Sequence, residues 1–193
     1  MSQTVLITGA SNGIGKACAR VFARKGYDLV LVARHREKLE AVKAELSEYD
    51  VNIKVVAMDL TGEDAAVDLY NNLVLDDISI DILVNNAGFG DHGAFHDASW
   101  EKQKKMVLLN IMALMQMTYV FGQSMKLRKK GRILNVASIA GLCAGPYMST
   151  YYATKAFVLS FSESIAYELK DYDVEGSCLC PGPTKTGFMD VAN

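Results

Sequence analysis

The chain has 193 residues, half of them apolar, with 20 basic against 22 acidic side chains and a net charge of −2. That length and apolar share suffice for one domain with a substantial core. The near-neutral balance and pI of about 5.9 give no electrostatic case for nucleic acid or an acidic membrane surface. Cys18, Cys143, Cys178 and Cys180 lack CxxC or Cys/His metal spacing. No metal site is predicted, and thiols in a reducing cytoplasm are expected.

Along the chain, short aliphatic runs alternate with longer amphipathic ones. Met1-Ser2-Gln3-Thr4 lacks a basic leader, so no signal peptide is expected. The first strand, Thr4–Thr8, runs into Gly9-Ala10-Ser11-Asn12-Gly13-Ile14-Gly15 and a helix over 13–26. Glycines there permit a tight turn and let backbone approach a pyrophosphate at the helix N-terminus. Their spacing departs from the commonest dinucleotide fingerprint, and an ordinary βα turn is the plain alternative. A second strand, Leu29–Ala33, ends in Arg34-His35-Arg36 before a helix over 36–49. A carboxylate at that place suits the ribose 2′-hydroxyl of NAD, whereas an arginine suits a 2′-phosphate. Arg34 therefore favours NADP (NADPH) over NAD, with solvated helix-opening charges as the alternative.

The third strand, Ile53–Ala57, leads through Asp59 and Leu60 to a helix over 63–76. The fourth, Ile82–Asn85, is followed by Asn86-Ala87-Gly88 and a loop, Phe89–Asp97, carrying His92 and His96. A helix over 100–128 follows, in which Asn110 interrupts the longest apolar stretch, leaving it short of a membrane span. Lys126, Arg128, Lys129 and Lys130 complement that helix's C-terminal dipole, with Gly131 as the expected cap. The fifth strand, Arg132–Ala137, reaches Ser138; a helix over 152–170 and the strand Glu175–Cys180 follow, then Pro181-Gly182. This alternation predicts an α/β fold, a doubly wound, Rossmann-like parallel sheet of six strands in one domain over 1–193.

Tyr151 and Lys155 stand one helical turn apart, with Ser138 upstream. Residues four apart on a helix share a face, so an ammonium there is expected to lower the phenol's pKa by roughly 2–3 units. Such a phenol suits proton exchange with an alcohol or carbonyl. Alone, the pair reads as readily as a solvated lysine resting on a ring.

With these residues in order, the chain resembles the short-chain dehydrogenase/reductases. The resemblance rests on the Thr8–Gly15 turn, Asp59, Asn85-Asn86-Ala87-Gly88, Asn110, Ser138, Tyr151, Lys155 and Pro181-Gly182, and spans residues 4 to about 188. It implies Tyr151 as general acid in reduction and general base in oxidation. Lys155 would lower the pKa of Tyr151 and bond the nicotinamide ribose, Ser138 would polarise the carbonyl, and Asn110 would help hold a proton-relay water. It further implies cofactor contacts from the glycine turn, Asp59 and Leu60 (adenine), Asn86 to Gly88, and Pro181 to Thr186, chiefly Thr184 and Thr186.

Relatives usually continue with substrate-covering helices and a seventh strand beyond the point where this sequence stops. An unobserved tail, a truncated or cleaved chain and a natural short form all remain open. The expected function is an NADP-dependent oxidoreductase acting on a small carbonyl or alcohol substrate. A dinucleotide-binding regulatory protein with little turnover is the alternative. Helices 100–128 and 152–170 are the expected homodimer contact, and no membrane partner is expected.

Overall fold

The computed structural model describes residues 2–184. Six strands form one parallel sheet: β1 (Thr4–Thr8), β2 (Asp28–Ala33), β3 (Ile53–Ala57), β4 (Ile82–Asn85), β5 (Gly131–Val136) and β6 (Val174–Leu179), in the order β3-β2-β1-β4-β5-β6. β1 pairs with β2 on one side and β4 on the other, through Ile7↔Leu31 and Ile7↔Val84. The strand order therefore reverses at the C-terminal ends of β1 and β4. Such a crevice is where open α/β sheets bind ligands.

Side chains alternate across a strand, and both faces of this sheet are covered, so the strands read as continuous apolar runs. Val5, Ile7, Leu29 and Leu31 pack with Ala19 and Ala23 of α1 (Gly13–Arg24) and Leu39 and Val42 of α2 (Arg36–Glu45). On the other face, Leu6, Val30, Leu83 and Ile133 pack against Leu69 and Leu73 of α3 (Ala65–Leu75) and the long fourth helical segment.

That segment, 100–128, is predicted as one helix and is instead three joined parts. α4 (Trp100–Val107) passes through a π-helical turn, Leu108–Ala113, into α5 (Leu114–Arg128). By length and composition the whole 29-residue stretch could cross a membrane, which corrects the expectation drawn from its longest apolar run. Met106, Met117, Phe121 and Met125 of this helix are buried in the protein's own core. The expected Gly131 cap is also corrected. Lys129 takes the left-handed conformation at φ 48, while Gly131 opens β5. Arg128 donates to the Ile80 carbonyl and, with Lys130, faces Asp81, so the basic cluster ties the helix end to the start of β4.

The last helix, α6 (Ser149–Leu169), begins before the predicted 152 and so includes Tyr151.

Candidate active site

Ser138 follows β5 in an extended conformation, and its Oγ accepts from the Ala140 amide at 3.1 Å. The Ile139–Leu142 turn presses onto α6, where a Cβ on Gly141 would lie 2.6 Å from the Lys155 carbonyl oxygen. Sequence reasoning passed over Gly141; its signal was a glycine three residues beyond Ser138.

Tyr151 is buried among Met106 and Ala140, with Phe89, Met148 and Tyr152 packed alongside. Its hydroxyl is hydrogen-bonded with Ser138. Burial raises the phenol above its ordinary pKa, the Ser138 bond works against that, and Tyr152 adds slightly to the rise. The expectation of a lowered phenol is thus overturned. Lys155 Nζ sits 5.8 Å from the Tyr151 ring centroid and donates to the Val136 carbonyl at 2.8 Å. Burial also lowers the Lys155 ammonium to about 8, against an upward pull from Cys178 and Cys180.

Asn110 lies in the π-helical turn, buried at 1 % exposure. π-turns often mark functional sites because the ladder is locally offset. Its Oδ1 accepts from Phe89 N at 3.1 Å, and its Nδ2 donates to Phe89 O at 2.9 Å and Thr154 Oγ1 at 3.1 Å. Both amide hydrogens are thereby engaged. The side chain joins the loop after β4 to the helix carrying Tyr151 and Lys155.

A second buried polar set was not foreseen. Asn85 and Asn135 stand opposite one another on β4 and β5. Asn85 Nδ2 donates to Thr118 Oγ1 at 3.0 Å and Asn135 Oδ1 at 2.9 Å, and Asn135 Nδ2 donates to Ser162 Oγ at 3.0 Å. These bonds fix α5 and α6 to the sheet below the site.

The glycine turn fits a dinucleotide pyrophosphate. Gly9 and Gly13 have φ of 64 and 51, and a Cβ on Gly15 would lie 2.3 Å from the Gly9 carbonyl oxygen. Asn12 is extended and caps no amide with its side chain, so the first-turn N–H groups of α1 are left for an anion. Asn86 braces the turn: its Nδ2 donates to Thr8 O at 2.9 Å and Gly9 O at 3.2 Å. Thr8 Oγ1 accepts from the amides of Asn86 and Ala87.

A cleft of about 350 Å³ joins Gly9, Asn12, Gly13, Ile14, Asn86, Ala87 and Gly88 to Ser138, Tyr151, Lys155 and Pro181, Gly182 and Thr184. Ser11, beside the turn, does not line it. Asp59 accepts from Thr61 N and Oγ1 at 3.0 and 2.9 Å. Burial pushes its carboxyl up, but those bonds and the charges of Arg34 and Lys105 hold it below its usual value. Leu60 differs from its expected place: its side chain is buried in the core, and it borders the apolar groove beside α5 rather than the cleft. Arg36 pairs with Glu40 at 3.5 Å, while among the described residues Arg34 holds no such ion pair. Thr186 lies outside the described residues. Among the described residues no group of three potential metal ligands occurs.

The profile of a family described as short chain dehydrogenase matches residues 3–193. Nodulation protein G of Rhizobium sp. (strain N33) is 34% identical over 99% of this chain and 77% of its own length. A short-chain dehydrogenase from Sphingobium yanoikuyae, solved in complex with NADPH, superposes with a TM-score of 0.93 at 37% identity, covering 98% of this chain and 75% of that one. A short-chain dehydrogenase/reductase from Burkholderia phymatum, solved with NAD, has a TM-score of 0.92 at 28% identity, covering 98% and 69%. The chain spans about half (52%) of the very-long-chain 3-oxoacyl-CoA reductase of Phaeosphaeria nodorum (strain SN15 / ATCC MYA-4574 / FGSC 10173), to which it is 36% identical.

Proposed function

The chain belongs to the short-chain dehydrogenase family, and from that membership we propose that it is an NADP-dependent reductase of a ketone or aldehyde, with Tyr151 as the proton donor. The observation that carries this reading is the meeting of Ser138, Tyr151 and Lys155 in one cleft with the uncapped N-terminus of α1.

The glycine turn, Asn86 to Gly88 and Pro181 to Thr184 would hold the dinucleotide, which would supply the hydride. The protein positions the carbonyl and manages the proton. A phenol is protonated at neutral pH, the form a reduction needs, and burial raises the Tyr151 pKa further. The Ser138 hydroxyl, already bonded to Tyr151, can also stabilise the developing alkoxide. Lys155 contributes a buried donor fixed by Val136, and Asn110 holds the opposing loop in register with α6.

Arg34 favours NADP because it is exposed just past β2, without an ion-pair partner among the described residues and with no carboxylate in the position that would bind a 2′-hydroxyl. Solved relatives hold either NADPH or NAD, so the preference rests on this residue. Helices α5 and α6 flank an apolar groove of about 760 Å³ lined by Met112, Met115, Tyr119, Phe161 and Ile165. A second copy covering it forms a homodimer. Four free thiols suit a reducing cytoplasm.

The deciding experiment is NADPH oxidation with a panel of ketones and aldehydes, comparing wild type with Tyr151→Phe. Equal turnover by the two chains refutes the role of Tyr151. Binding of NADPH without turnover of any carbonyl favours a regulatory dinucleotide binder.

A further inference from the structure

Strand β6 turns every second side chain toward α6, as the period of a strand requires. Gly176 opens that row, and a Cβ there would lie 2.7 Å from the Ala166 Cβ, so helix and strand are in close contact. Cys178 and Cys180 continue the row. Both pack on the buried cluster of Leu114, Ala137 and Val158. The two thiols are in hydrogen-bond contact with one another, and Cys178 is also bonded with Ser162. Neither is in a disulfide, and both are half-buried.

Their backbones are held differently. Cys178 lies within the ladder opposite Asn135, whereas the pairing of β5 with β6 ends at Val136↔Leu179. Cys180 therefore sits between the end of the sheet and Pro181, whose carbonyl accepts from the Ile139 amide at 3.1 Å. Ile139, Pro181 and Gly182 all line the cleft, and Ile139 follows Ser138 directly. Charge on either sulfur is also felt by Lys155. The dithiol thus adjoins the residues around Tyr151 from behind.

Two residues apart on one strand face, Cα atoms are separated by about 6.6 Å. That is near the upper end of the span a disulfide bridges. Closing such a bond draws Cys180 inward, where the ladder no longer holds it, and Pro181 moves with it.

We propose that Cys178 and Cys180 are a redox-modification site, which a hydroperoxide joins in a reversible disulfide that slows reduction in the adjoining cleft. The effect on turnover rests on the reading of the cleft as a carbonyl site; the disulfide itself does not. Burial raises the Cys178 thiol, so Cys180 takes the first step. Its thiolate attacks one oxygen of hydrogen peroxide and the O–O bond breaks. The hydroxide released leaves as water with the thiol's proton, and a sulfenic acid remains. The Cys178 sulfur then attacks the sulfenic sulfur: the S–S bond forms, the S–O bond breaks, and the second thiol proton leaves in a second water. The two sulfurs give up two electrons, and the peroxide becomes two waters. A bridge near its geometric limit is strained and is readily reopened by thiols. Disulfides of reducing compartments are of this transient kind.

The test uses the full chain with Cys18→Ala and Cys143→Ser, so that only this pair of thiols remains, treated with hydrogen peroxide. Peptide mapping finds Cys178 joined to Cys180 in a chain about 2 Da lighter. NADPH-dependent carbonyl reduction falls by about tenfold or more. Dithiothreitol restores it, although that reagent does not reverse methionine oxidation or sulfinic acid. On the same background Cys180→Ser forms no bridge and shows no dithiothreitol-reversible loss. Absence of the bridge after treatment overturns the inference, as does a bridge that leaves turnover unchanged or an equal reversible loss in Cys180→Ser. If the untreated chain reduces no carbonyl, the catalytic reading falls, and the mapped bridge still decides the modification site.

Discussion

The buried Nζ of Lys155 donates to the backbone carbonyl of Val136 at 2.8 Å, tying the middle of the cleft to the end of β5. The same burial holds the ammonium at about 8, below its ordinary 10.5. Below about pH 8 both folded and unfolded chains carry the charge, and the folded state bears the full desolvation cost. Between about 8 and 10.5 the unfolded chain binds more protons, so this group makes stability rise with pH. The cost at neutral pH is on the order of 3 kcal/mol. Lys155→Met removes it while giving up a charge-assisted hydrogen bond of about 1.5–3 kcal/mol, so the variant should be at least as stable at pH 7, by up to about 1.5 kcal/mol. Its advantage should shrink as pH approaches 10. Urea unfolding of both chains at pH 7 and 10 checks this, and a variant less stable at pH 7 refutes it.

Replacing the phenol alone tests the chemistry without disturbing the pocket. Tyr151→Phe keeps the ring packed against Met106 and Ala140 but removes the proton donor. Turnover should fall by about 100- to 10,000-fold, while NADPH affinity, read by fluorescence titration, changes less than about threefold. A comparable fall in affinity would mean that the hydroxyl serves binding rather than catalysis.

Arg34→Asp separates the two dinucleotides. A charge-assisted contact to phosphate is worth roughly 1.5–3 kcal/mol, so NADPH binding should weaken by about 10- to 100-fold while NADH binding is kept or improved. Titration of each dinucleotide against both chains supplies the comparison. Parallel loss of both cofactors would point to damage at the turn rather than lost 2′-phosphate recognition.

Much of this architecture was legible because burial on both sheet faces leaves a simple mark. Val5, Leu6 and Ile7 in β1 alternate between two cores, so their run contains no polar interruption. Helix ends were less legible, since Tyr151 joins α6 through tertiary packing rather than a side-chain cap. The site residues were read from their order along the chain, but their electrostatics were not. Spacing placed Lys155 on the face of Tyr151; it could not reveal that the Val136 carbonyl takes the amine and that burial lowers the ammonium to about 8. Nor could it pair Asn85 with Asn135, a contact that exists only once β4 and β5 are neighbours.

The groove between α5 and α6 yields the last prediction. Tyr119 is 67% exposed and Met112 50% exposed on the same apolar wall, although α5 is buried along its opposite side at Met117, Phe121 and Met125. A second copy laid against this face would shield both side chains. Tyr119→Glu places a carboxylate in that contact, and desolvating it without a partner costs several kcal/mol. The variant should therefore sediment as a monomer at concentrations where wild type is a dimer. Thermal unfolding of the two chains under monomeric conditions should differ little, because residue 119 faces solvent within a single copy. Wild type that sediments as a monomer throughout would remove the homodimer from the proposed function.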